Sequence, residues 1–409
     1  MIAHFYDNMC LMGKRIPHLA RKKNCTGCLA CIDSCNHKAL DKYIGKDGHY
    51  YVKVDWQSCI GCLKCERTCP IVSGFDYGYS EDAAFYAAWN LNNDERMSSA
   101  SGGVFSAMAH YMLERGGAVI GAASEGVFDV RHKIVENLDE LNNLQGTKYT
   151  QSDTRGVYVM TKELLSRGRT VLFSGTGCQI AGLLSFLGDY NINGQLITVD
   201  LICGGVPSKL LIEKFVEFEP YNVDKIVSYR TKDNGWRPKG FMYNLKVEDD
   251  KGVIHDYLGI PNLITTGFSK ELTERYSCYN CQFVGTHRKS DFTIGDLWGD
   301  SDYPEQHYMG LSLLVAHSNK AQVLLEEMRD YLQTAPCDAD SATKVNFRLI
   351  QGKNARQYTF ERIFLTSLFS RCSYSTLKKI YADDHSSFCL WAIWSLVRKT
   401  YVKILKKMI

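Results

Sequence analysis

Two short stretches decide the fold of the first part of the chain: CTGCLACIDSC at residues 25–35 and CIGCLKCERTC at residues 59–69. Both have the spacing C-x2-C-x2-C-x3-C, and every cysteine of the second stretch lies 34 residues after its counterpart in the first. A tight loop with this spacing brings three thiolates to one iron–sulfur cubane, while the fourth cysteine reaches a neighbouring cubane. The repeat therefore predicts two [4Fe–4S] clusters.

The two predicted clusters exchange one ligand across the repeat. The ligand sets are expected to be Cys25, Cys28, Cys31 and Cys69 for the first cluster, and Cys59, Cys62, Cys65 and Cys35 for the second. Zinc is the alternative, but zinc is commonly bound by two separated C-x2-C pairs rather than by a duplicated triple. Pro70 follows the second stretch, as this pattern expects, whereas Asn36 follows the first. The asparagine weakens a turn preference and removes no ligand.

Composition indicates a soluble globular protein with metal or redox chemistry. Of 409 residues, 45% are hydrophobic and 23% are charged, and the net charge of +3 gives no electrostatic indication of nucleic-acid binding. Residues 1–20 lack the apolar core and the cleavage site of a secretion signal, so the 16 cysteines favour metal ligation over disulfides. No apolar run reaches the roughly 18 residues of a membrane-spanning helix. We expect a cytoplasmic protein without a nucleic-acid partner.

Strand-like and helix-like patterns alternate from about residue 83 to residue 305. Short apolar runs predict buried strands at Ala118–Ala122, Thr170–Phe173 and Leu196–Ile202. Helical patterns lie at Val104–Glu114, Val157–Leu165, Gln179–Leu187 and Leu210–Phe218. This alternation predicts an α/β body. Residues 76–95 are polar and are interpreted as a connector, and residues 320–380 are interpreted as mostly helical.

The predicted fold class is an α+β ferredoxin-like dicluster head followed by an α/β body. The predicted divisions are the head at residues 1–75, the N-terminal part of the body at 76–160, its C-terminal part at 161–370 and a basic amphipathic tail at 371–409. In the tail, Trp391 and Trp394 precede five basic residues, which indicates peripheral contact with an anionic membrane surface, at the inner face of the membrane. The alternative is a helix docked on the body.

Four further cysteines are candidates for a second kind of site. Cys178 and Cys203 each follow a predicted strand, and Cys278 and Cys281 form a C-x2-C pair. Ligand-binding residues gather at the carboxyl ends of strands in α/β sheets, so these cysteines are candidates for one metal site. From spacing alone, ordinary buried cysteines and a zinc site both stay open as alternatives. The remaining cysteines, which show no pattern, are Cys10, Cys337, Cys372 and Cys389.

Several motifs in residues 20–370 resemble the beta subunit of coenzyme F420 hydrogenase/dehydrogenase. They are SSASGG at 98–103, GTKYTQS at 146–152, FSGTGCQIAGL at 173–183, CGGVPS at 203–208 and GDLWG at 295–299. The resemblance implies FAD beside a third [4Fe–4S] cluster held by Cys178, Cys203, Cys278 and Cys281. The chain departs from the family pattern at Gly177, where proline is usual, and at Gly204, where histidine is usual. Since the family includes members that do not use F420, the resemblance leaves the substrate open.

The Ser/Gly loop at residues 98–103 also has a physical reason to bind a flavin. Small residues let backbone N–H groups approach a pyrophosphate, and the predicted helix that begins at Val104 favours its negative charge. The alternative is plain capping of that helix by Ser101. The expected cofactor contacts are Ser98, Ser99, Ser101, Gly102, Gly103, Lys148, Gly175, Thr176, Gln179 and Asp296. Three further basic residues are candidates for binding an anionic cofactor or substrate, with a solvated or ion-paired surface as the alternative: Arg230, Lys232 and Arg288.

These features together predict an oxidoreductase. Electrons from a ferredoxin-like or other redox protein are expected to reach FAD through the iron–sulfur clusters, and then a small anionic organic substrate, which is coenzyme F420 or another acceptor. The alternative is a non-catalytic electron-transfer subunit of a larger redox complex. No G-x-G-x-x-G motif and no P-loop occur in the sequence, so neither a standard dinucleotide fold nor nucleotide hydrolysis is indicated.

Overall fold

The computed structural model describes residues 15–78, 83–190, 195–269, 271, 273–299, 302–351, 372, 373, 375 and 376. The tryptophans and lysines of the predicted tail therefore lie outside the described residues, as do Cys10 and Cys389. Within the described part, no helix has both the length and the apolar composition needed to cross a membrane.

The backbone of the head repeats with its sequence. Helix α1 (Ala30–Asp33) and helix α2 (Lys64–Thr68) each follow a leucine in the left-handed conformation, with φ 60° at Leu29 and 61° at Leu63. Between the helices, strands β1 (Leu40–Ile44) and β2 (Tyr50–Val54) form an antiparallel pair. The apolar core of the head is small and consists of Cys31, Leu40 and Cys65, surrounded by Leu19, Ile32, Cys35, Val52 and Val54. Two short helices and one hairpin agree with an α+β head, and its ferredoxin-like topology stays a prediction.

The body is built on a nine-stranded mixed sheet. Its strands are β3 (Ala84–Asn90), β4 (Ala118–Glu125), β5 (Asp129–Val135), β6 (Ser152–Asp153), β7 (Val171–Thr176), β8 (Leu196–Leu201), β12 (Phe292–Asp296), β13 (Ser312–Ala316) and β14 (Leu332–Pro336). Their order is β14-β3-β13-β12-β8-β7-β4-β5-β6. Strands β12, β8, β7 and β4 run parallel in the middle, and antiparallel pairs extend the sheet on both sides. The α/β prediction is therefore right for the centre, and the whole sheet is mixed.

Helices cover the sheet and support a smaller one. In chain order they are α3 (Asn93–Ser98), α4 (Val104–Glu114), α5 (Val157–Ser166), α6 (Gly177–Leu187), α7 (Leu210–Phe218), α8 (Leu263–Ser269), α9 (Asn319–Glu327), α10 (Ala339–Val345) and α11 (Phe347–Gln351). A separate antiparallel sheet has the order β11-β10-β9, from β9 (Val223–Ser228), β10 (Lys246–Asp249) and β11 (Ile254–Asp256). The four helices predicted from the sequence are all present, and α6 begins two residues before its predicted start.

One interpretation of the sequence is wrong, and another misses a strand. The segment 76–95 is not only a connector, because Ala84–Asn90 forms β3 between β13 and β14 and pairs along its length with both. The segment 320–380 is mostly helical in its described part, through α9, α10 and α11, but Leu332–Pro336 within it forms the edge strand β14. The side chains of β14 (LQTAP) form too weak a pattern to predict a strand, and the backbone hydrogen bonds of β3 stabilise it. The run AFYAAW at 84–89, in contrast, is apolar and aromatic and does favour a strand.

Candidate functional site

The head cysteines fall into two groups by their electrostatic effects on one another. Burial raises the pKa of the Cys28 thiol to about 12, and the nearby Cys69 and Cys25 contribute to the rise. Burial also raises the pKa of Cys31, followed by the effects of Cys28, Cys25 and Cys69, and Cys65 of the second group has a smaller effect. The pKa of Cys65 is raised to about 11 by burial and by Cys35 and Cys59. The structure thus brings together thiols from both stretches, as crossed ligand sets require.

The four body cysteines converge at the carboxyl ends of β7 and β8. Cys178 lies in the first turn of α6, because the Thr176–Gln179 capping box starts the helix at Gly177, and Cys203 follows β8. Burial raises the pKa of Cys178, and Cys203 and Cys278 add to the rise. Burial raises the pKa of Cys281 to about 12, with smaller effects of Cys178 and Cys203. These thiols resist ionisation unless a cation or metal compensates their charge.

The head and the body meet at Cys28. The carbonyl of Cys28 accepts hydrogen bonds from Thr154 Oγ1 at 2.7 Å and from the Tyr158 hydroxyl at 2.9 Å. A Cβ atom at Gly182 would lie 3.1 Å from the Cys28 sulfur. Gly182 is one helical turn after Cys178 on α6, so both face the head. The body cysteines therefore lie directly behind the first cysteine group of the head.

The zinc alternative requires donors arranged around one ion. Among the described residues, no group of three or more His, Cys, Asp or Glu side chains is arranged to hold a single metal ion. A [4Fe–4S] cubane distributes its thiolates over several irons. The chemistry of the donors fits such a cluster, because the converging side chains are thiols and the groups contain no histidine.

A cavity of about 660 Å³ opens beside the body cysteines, and both Cys178 and Cys203 line it. Among the predicted cofactor contacts, those that line it are Ser99, Ser101, Gly103, Lys148, Gly175, Thr176, Gln179 and Asp296. The predictions for Ser98 and Gly102 are not supported. Ser98 is exposed and donates to the Asp94 carbonyl at 2.9 Å. The Gly102 N–H donates to Ser312 Oγ at 2.9 Å, and a Cβ atom at this position would collide with the Ala88 carbonyl.

The start of helix α4 faces this cavity. Its N-cap is Gly103 in the left-handed conformation, with φ 78° and no side-chain capping hydrogen bond. Ser101 donates instead to the Leu311 carbonyl at 2.5 Å, so the interpretation of Ser101 as the helix cap is wrong. Gly103, Val104 and Ser106 line the cavity. The uncapped N–H groups and the helix dipole therefore favour an anionic group there.

Several polar atoms in the lining have no protein partner among the described residues. They are His132 Nδ1, Thr150 Oγ1, Thr265 Oγ1 and Arg230 Nη2. Burial lowers the pKa of His132 to about 4, so the ring is neutral, and its Nε2 lies 3.0 Å from the Ser174 carbonyl. Since buried polar groups are normally hydrogen-bonded, these atoms fit a polar ligand such as a flavin.

The candidate basic residues have different roles. Lys148 lines the cavity, and burial lowers its pKa to about 8. Arg230 pairs with Asp296 at 2.8 Å in the cavity wall. Lys232 donates to the carbonyls of Arg96, Ser101 and Met309, and Arg288 pairs with the fully buried Asp200 at 3.0 Å. Lys232 and Arg288 are buried and do not line the cavity, so they are neither cavity residues nor part of a solvated or ion-paired surface.

The sequence did not single out His132, Thr265 or Arg348 as lining residues. The sequence pattern could have identified His132. Strand β5 alternates buried and exposed positions, and this alternation places His132 on the buried face together with Val130. Thr265 and Arg348 reach the cavity from helices far along the chain, and no local pattern marks them.

Known families match three segments of the chain. Residues 24–72 match the 4Fe-4S dicluster domain, residues 85–157 the N-terminal part of the coenzyme F420 hydrogenase/dehydrogenase beta subunit, and residues 168–341 its C-terminal part. A cysteine-rich domain of this kind joined to an α/β body defines the chain as an iron–sulfur protein of a redox-enzyme class. The chain belongs to the family of coenzyme F420 hydrogenase/dehydrogenase beta subunits.

Proteins similar to this chain include two curated proteins and a chain of a solved structure. The F subunit of F(420)H(2) dehydrogenase from Methanosarcina mazei is 24% identical over 254 residues, which cover 58% of this chain and 71% of that protein. The VorC subunit of ketoisovalerate oxidoreductase from Methanothermobacter marburgensis is 33% identical over 67 residues, covering 16% and 84%. A chain in a xenon-derivatised structure of the F420-reducing [NiFe] hydrogenase complex from Methanosarcina barkeri aligns with a TM-score of 0.46 and 16% identity, covering 68% of this chain and 91% of that one.

Proposed function

We propose that this chain is an iron–sulfur flavoprotein oxidoreductase that passes electrons between [4Fe–4S] clusters and FAD to a small anionic organic substrate, coenzyme F420 or another acceptor. One observation carries the proposal: Cys178 and Cys203 line the same cavity as the Ser/Gly loop before helix α4. The cysteines proposed to bind a cluster and the helix start proposed to bind an anionic group thus line one cavity. When bound, clusters and flavin together supply one-electron and two-electron chemistry.

The proposed cluster ligands are the twelve cysteines of the head and body groups. The head would hold two clusters with crossed ligands, within the proposed division 1–75, and Cys178, Cys203, Cys278 and Cys281 would hold the third. Support comes from the mutual electrostatic effects of the thiols and from the position of Cys28 against α6. The proposed route for electrons from the head to the cavity is then continuous, because the first head cysteine group adjoins the body cysteine group and the body group adjoins the cavity.

The proposed flavin site uses the inner half of the cavity. The N–H groups at Gly103 and Val104 would receive the pyrophosphate, and Lys148 would add a positive charge. The partner-free Thr150 hydroxyl and His132 Nδ1 would hydrogen-bond polar edges of the ring system. The volume of about 660 Å³ lies within the usual range of about 300–1,000 Å³ for ligand pockets.

The proposed substrate site is the outer half of the same cavity. Phe241, Phe268, Trp298 and Phe347 line it, and Trp298 and Phe347 are 38% and 47% exposed. The Arg348 guanidinium lies 5.6 Å from the Phe268 ring centre and fills the space beside Gly204. Aromatic walls with an arginine suit an organic molecule that carries an acidic group.

Anaerobic purification with measurement of iron, sulfide and flavin tests this proposal. We expect about twelve irons per chain, from three [4Fe–4S] clusters, and one FAD that denaturation releases. Fewer than about six irons, or zinc in place of iron, would contradict the cluster assignment. Photoreduction of the flavin followed by addition of candidate acceptors then identifies the substrate by reoxidation.

The second candidate function is a non-catalytic electron-transfer subunit of a larger redox complex. The relatives favour it, since both curated proteins are named as subunits of redox enzymes. In this case the isolated chain would bind no flavin or would pass electrons only to a second protein. Turnover by the isolated chain with a small-molecule acceptor would exclude it. In either case, a ferredoxin-like or other redox protein is the proposed electron donor.

A further inference from the structure

Arg275 belongs to the body but its side chain lies inside the head. It is three residues before Cys278 and has no exposed surface. Its Nε donates to the Cys25 carbonyl at 2.5 Å, and its Nη2 donates to the Tyr50 carbonyl at 2.6 Å. Its Nη1 donates to Gln151 Oε1 at 3.1 Å. One guanidinium thus connects the loop of the first head cysteine to the loop of a body cysteine.

No negative side chain of the described residues neutralises this guanidinium by an ion pair. Its three hydrogen-bond acceptors are all uncharged. Two other arginines have a carboxylate partner, since Arg288 pairs with Asp200 and Arg230 pairs with Asp296. The buried Arg96 resembles Arg275 in that its hydrogen-bond acceptors, the Gly310 carbonyl and Gln306, are uncharged. An arginine stays protonated in proteins, and a buried charge without a counter-charge is strongly destabilising. The centre of the Tyr51 ring lies 4.5 Å from the guanidinium and offsets part of this cost, and a negative group close to Arg275 would offset more of it.

Cysteine loops lie on both sides of the guanidinium. A Cβ atom at Gly27, within the first cysteine loop, would lie 2.8 Å from Arg275 Nη1, so this loop packs directly on the charge. On the other side, the Cys278 N–H donates to the Arg275 carbonyl at 3.0 Å. Burial raises the pKa of Cys278, and the positive charge of Arg275 acts against that rise. The charge therefore lies between the first head group and the body group.

We infer that Arg275 is a positioning residue that supplies a shared counter-charge to the first head cluster and the body cluster. The inference rests on the proposed function, because it assumes that both cysteine groups hold iron–sulfur clusters. A cubane held by four thiolates is anionic and becomes more so on reduction, and net charge in the surroundings is one determinant of its reduction potential. A nearby fixed cation stabilises the reduced form. Arg275 therefore raises the reduction potentials of both clusters.

A purely structural role for Arg275 makes a different prediction. If Arg275 only docks the head on the body, the loss of its hydrogen bonds should change the stability of the protein. The loss of its charge should then leave the reduction potentials of the clusters unchanged. Gln151 provides the matched control, because it bonds to the same region without a charge. Its Nε2 donates to the Gly27 carbonyl at 3.1 Å, and its Oε1 accepts from the Tyr50 N–H at 3.1 Å.

The test is a redox titration of the full-length, cluster-loaded protein followed by electron paramagnetic resonance. Arg275→Gln removes the charge, Arg275→Lys keeps it with fewer hydrogen bonds, and Gln151→Ala removes hydrogen bonds only. In Arg275→Gln we expect both affected clusters to become harder to reduce by at least tenfold in the equilibrium constant, which is about 59 mV for a one-electron couple. The potentials of Arg275→Lys and Gln151→Ala should stay near wild type, although all three variants lose thermal stability.

The inference is overturned if Arg275→Gln retains its iron and leaves the reduction potentials of both clusters unchanged. It is also overturned if Arg275→Lys lowers the two potentials by as much as Arg275→Gln does. If Arg275→Gln cannot be loaded with iron, the lysine variant decides: wild-type potentials support the inference, and a tenfold shift contradicts it. A wild-type protein that holds no iron at the body cysteines would instead contradict the proposed function. The iron content of the wild type therefore separates the two failures.

Discussion

The head and the body of this chain are stabilised by different kinds of core. In the head, the buried cluster contains Cys31, Leu40 and Cys65, and few large aliphatic side chains surround it. In the body, the apolar side chains form several large clusters, one of which includes the fully buried Phe292, Val199 and Leu314. Another body cluster also takes in Cys28 and Ala30 of the head. Small domains with little apolar core generally need disulfides or metals to fold. We expect the two head clusters to provide most of the core of the head. The body should be stable whether or not its own cluster is bound.

The head and the body also assemble their cysteine sites in two different ways. The head groups come from two loops that are related by a short repeat, so their ligands are close in sequence. The body group combines a helix start after β7, a loop after β8 and a C-x2-C turn, which lie up to about a hundred residues apart and meet through the parallel sheet. We therefore expect the head site to form only together with its clusters, and the fold of the body to bring the four body cysteines together before any cluster binds.

The largest expected effect is the response to iron removal. Oxidative cluster removal with a chelator should unfold residues 24–72 while the nine-stranded sheet stays folded, because metal binding energy is folding energy for such a head. Hydrogen exchange with mass spectrometry should show lost protection across the head and retained protection in β7, β8 and β12. A head that keeps its protection without iron would show that its contacts with the body suffice.

Truncation of a core side chain in the body should destabilise the body, in contrast to iron removal, which should unfold the head. Phe292→Ala removes a fully buried ring from strand β12 and should lower the free energy of unfolding by about 3–5 kcal/mol. The loss should be the same with and without iron, because the ring belongs to the apolar core. Urea unfolding followed by tryptophan fluorescence measures it. Phe218→Ala is the control, since Phe218 is 45% exposed and its loss should change stability little.

Cysteine substitutions compare the two sites directly. Cys281→Ser should remove about four irons and leave the stability of the body within about 1 kcal/mol of the wild type. Cys69→Ser should also reduce the iron content, and in addition it should loosen the head. Because Cys69 lies close to Cys25 and Cys28, the iron bound by the first stretch should be lost rather than that bound by the second. Loss of the second-stretch cluster alone would contradict the crossed ligand sets.

The sequence predicts those parts of the fold whose side chains carry the signal locally. Strands β4, β7 and β8 are buried on both faces and appear as apolar runs, so their positions could be predicted. Strand β14, with the sequence LQTAP, has no apolar pattern, and Pro336 is tolerated because the strand lies at the sheet edge. Such a strand is defined by its neighbour β3 and becomes visible only in three dimensions.

The candidate site divides in the same way. The head cysteines are marked by their spacing, and the Ser/Gly loop by its position before a helix. Arg275 carries no such mark, because a buried arginine and a surface arginine look alike in a sequence. Its role depends on the Cys25 and Tyr50 carbonyls, which lie more than 200 positions away along the chain. Partners that lie so far apart in the sequence can be identified only from the folded structure.

The smallest expected effect concerns pH and belongs to the body alone. On helix α4, His110 Nδ1 lies 2.6 Å from a Glu95 carboxylate oxygen, and its Nε2 lies 3.2 Å from a Glu114 carboxylate oxygen. Burial acts to lower the pKa of His110, but the two carboxylates outweigh it, so the pKa is raised. A histidine with a raised pKa stabilises the fold below its unfolded value of about 6.5, and this contribution disappears as pH rises through the folded value.

His110→Gln should therefore lower the free energy of unfolding at pH 6 by about 0.5 kcal/mol, and the difference should vanish by pH 9. The small size follows from partial solvent exposure, since 24% of the His110 side chain is exposed. His18→Gln in the head is the control, because His18 is 84% exposed and lies 3.8 Å from Glu66. Urea unfolding of the body at both pH values measures the difference. An equal loss at pH 6 and pH 9 would mean that His110 stabilises the helix by packing, so that charge contributes nothing there.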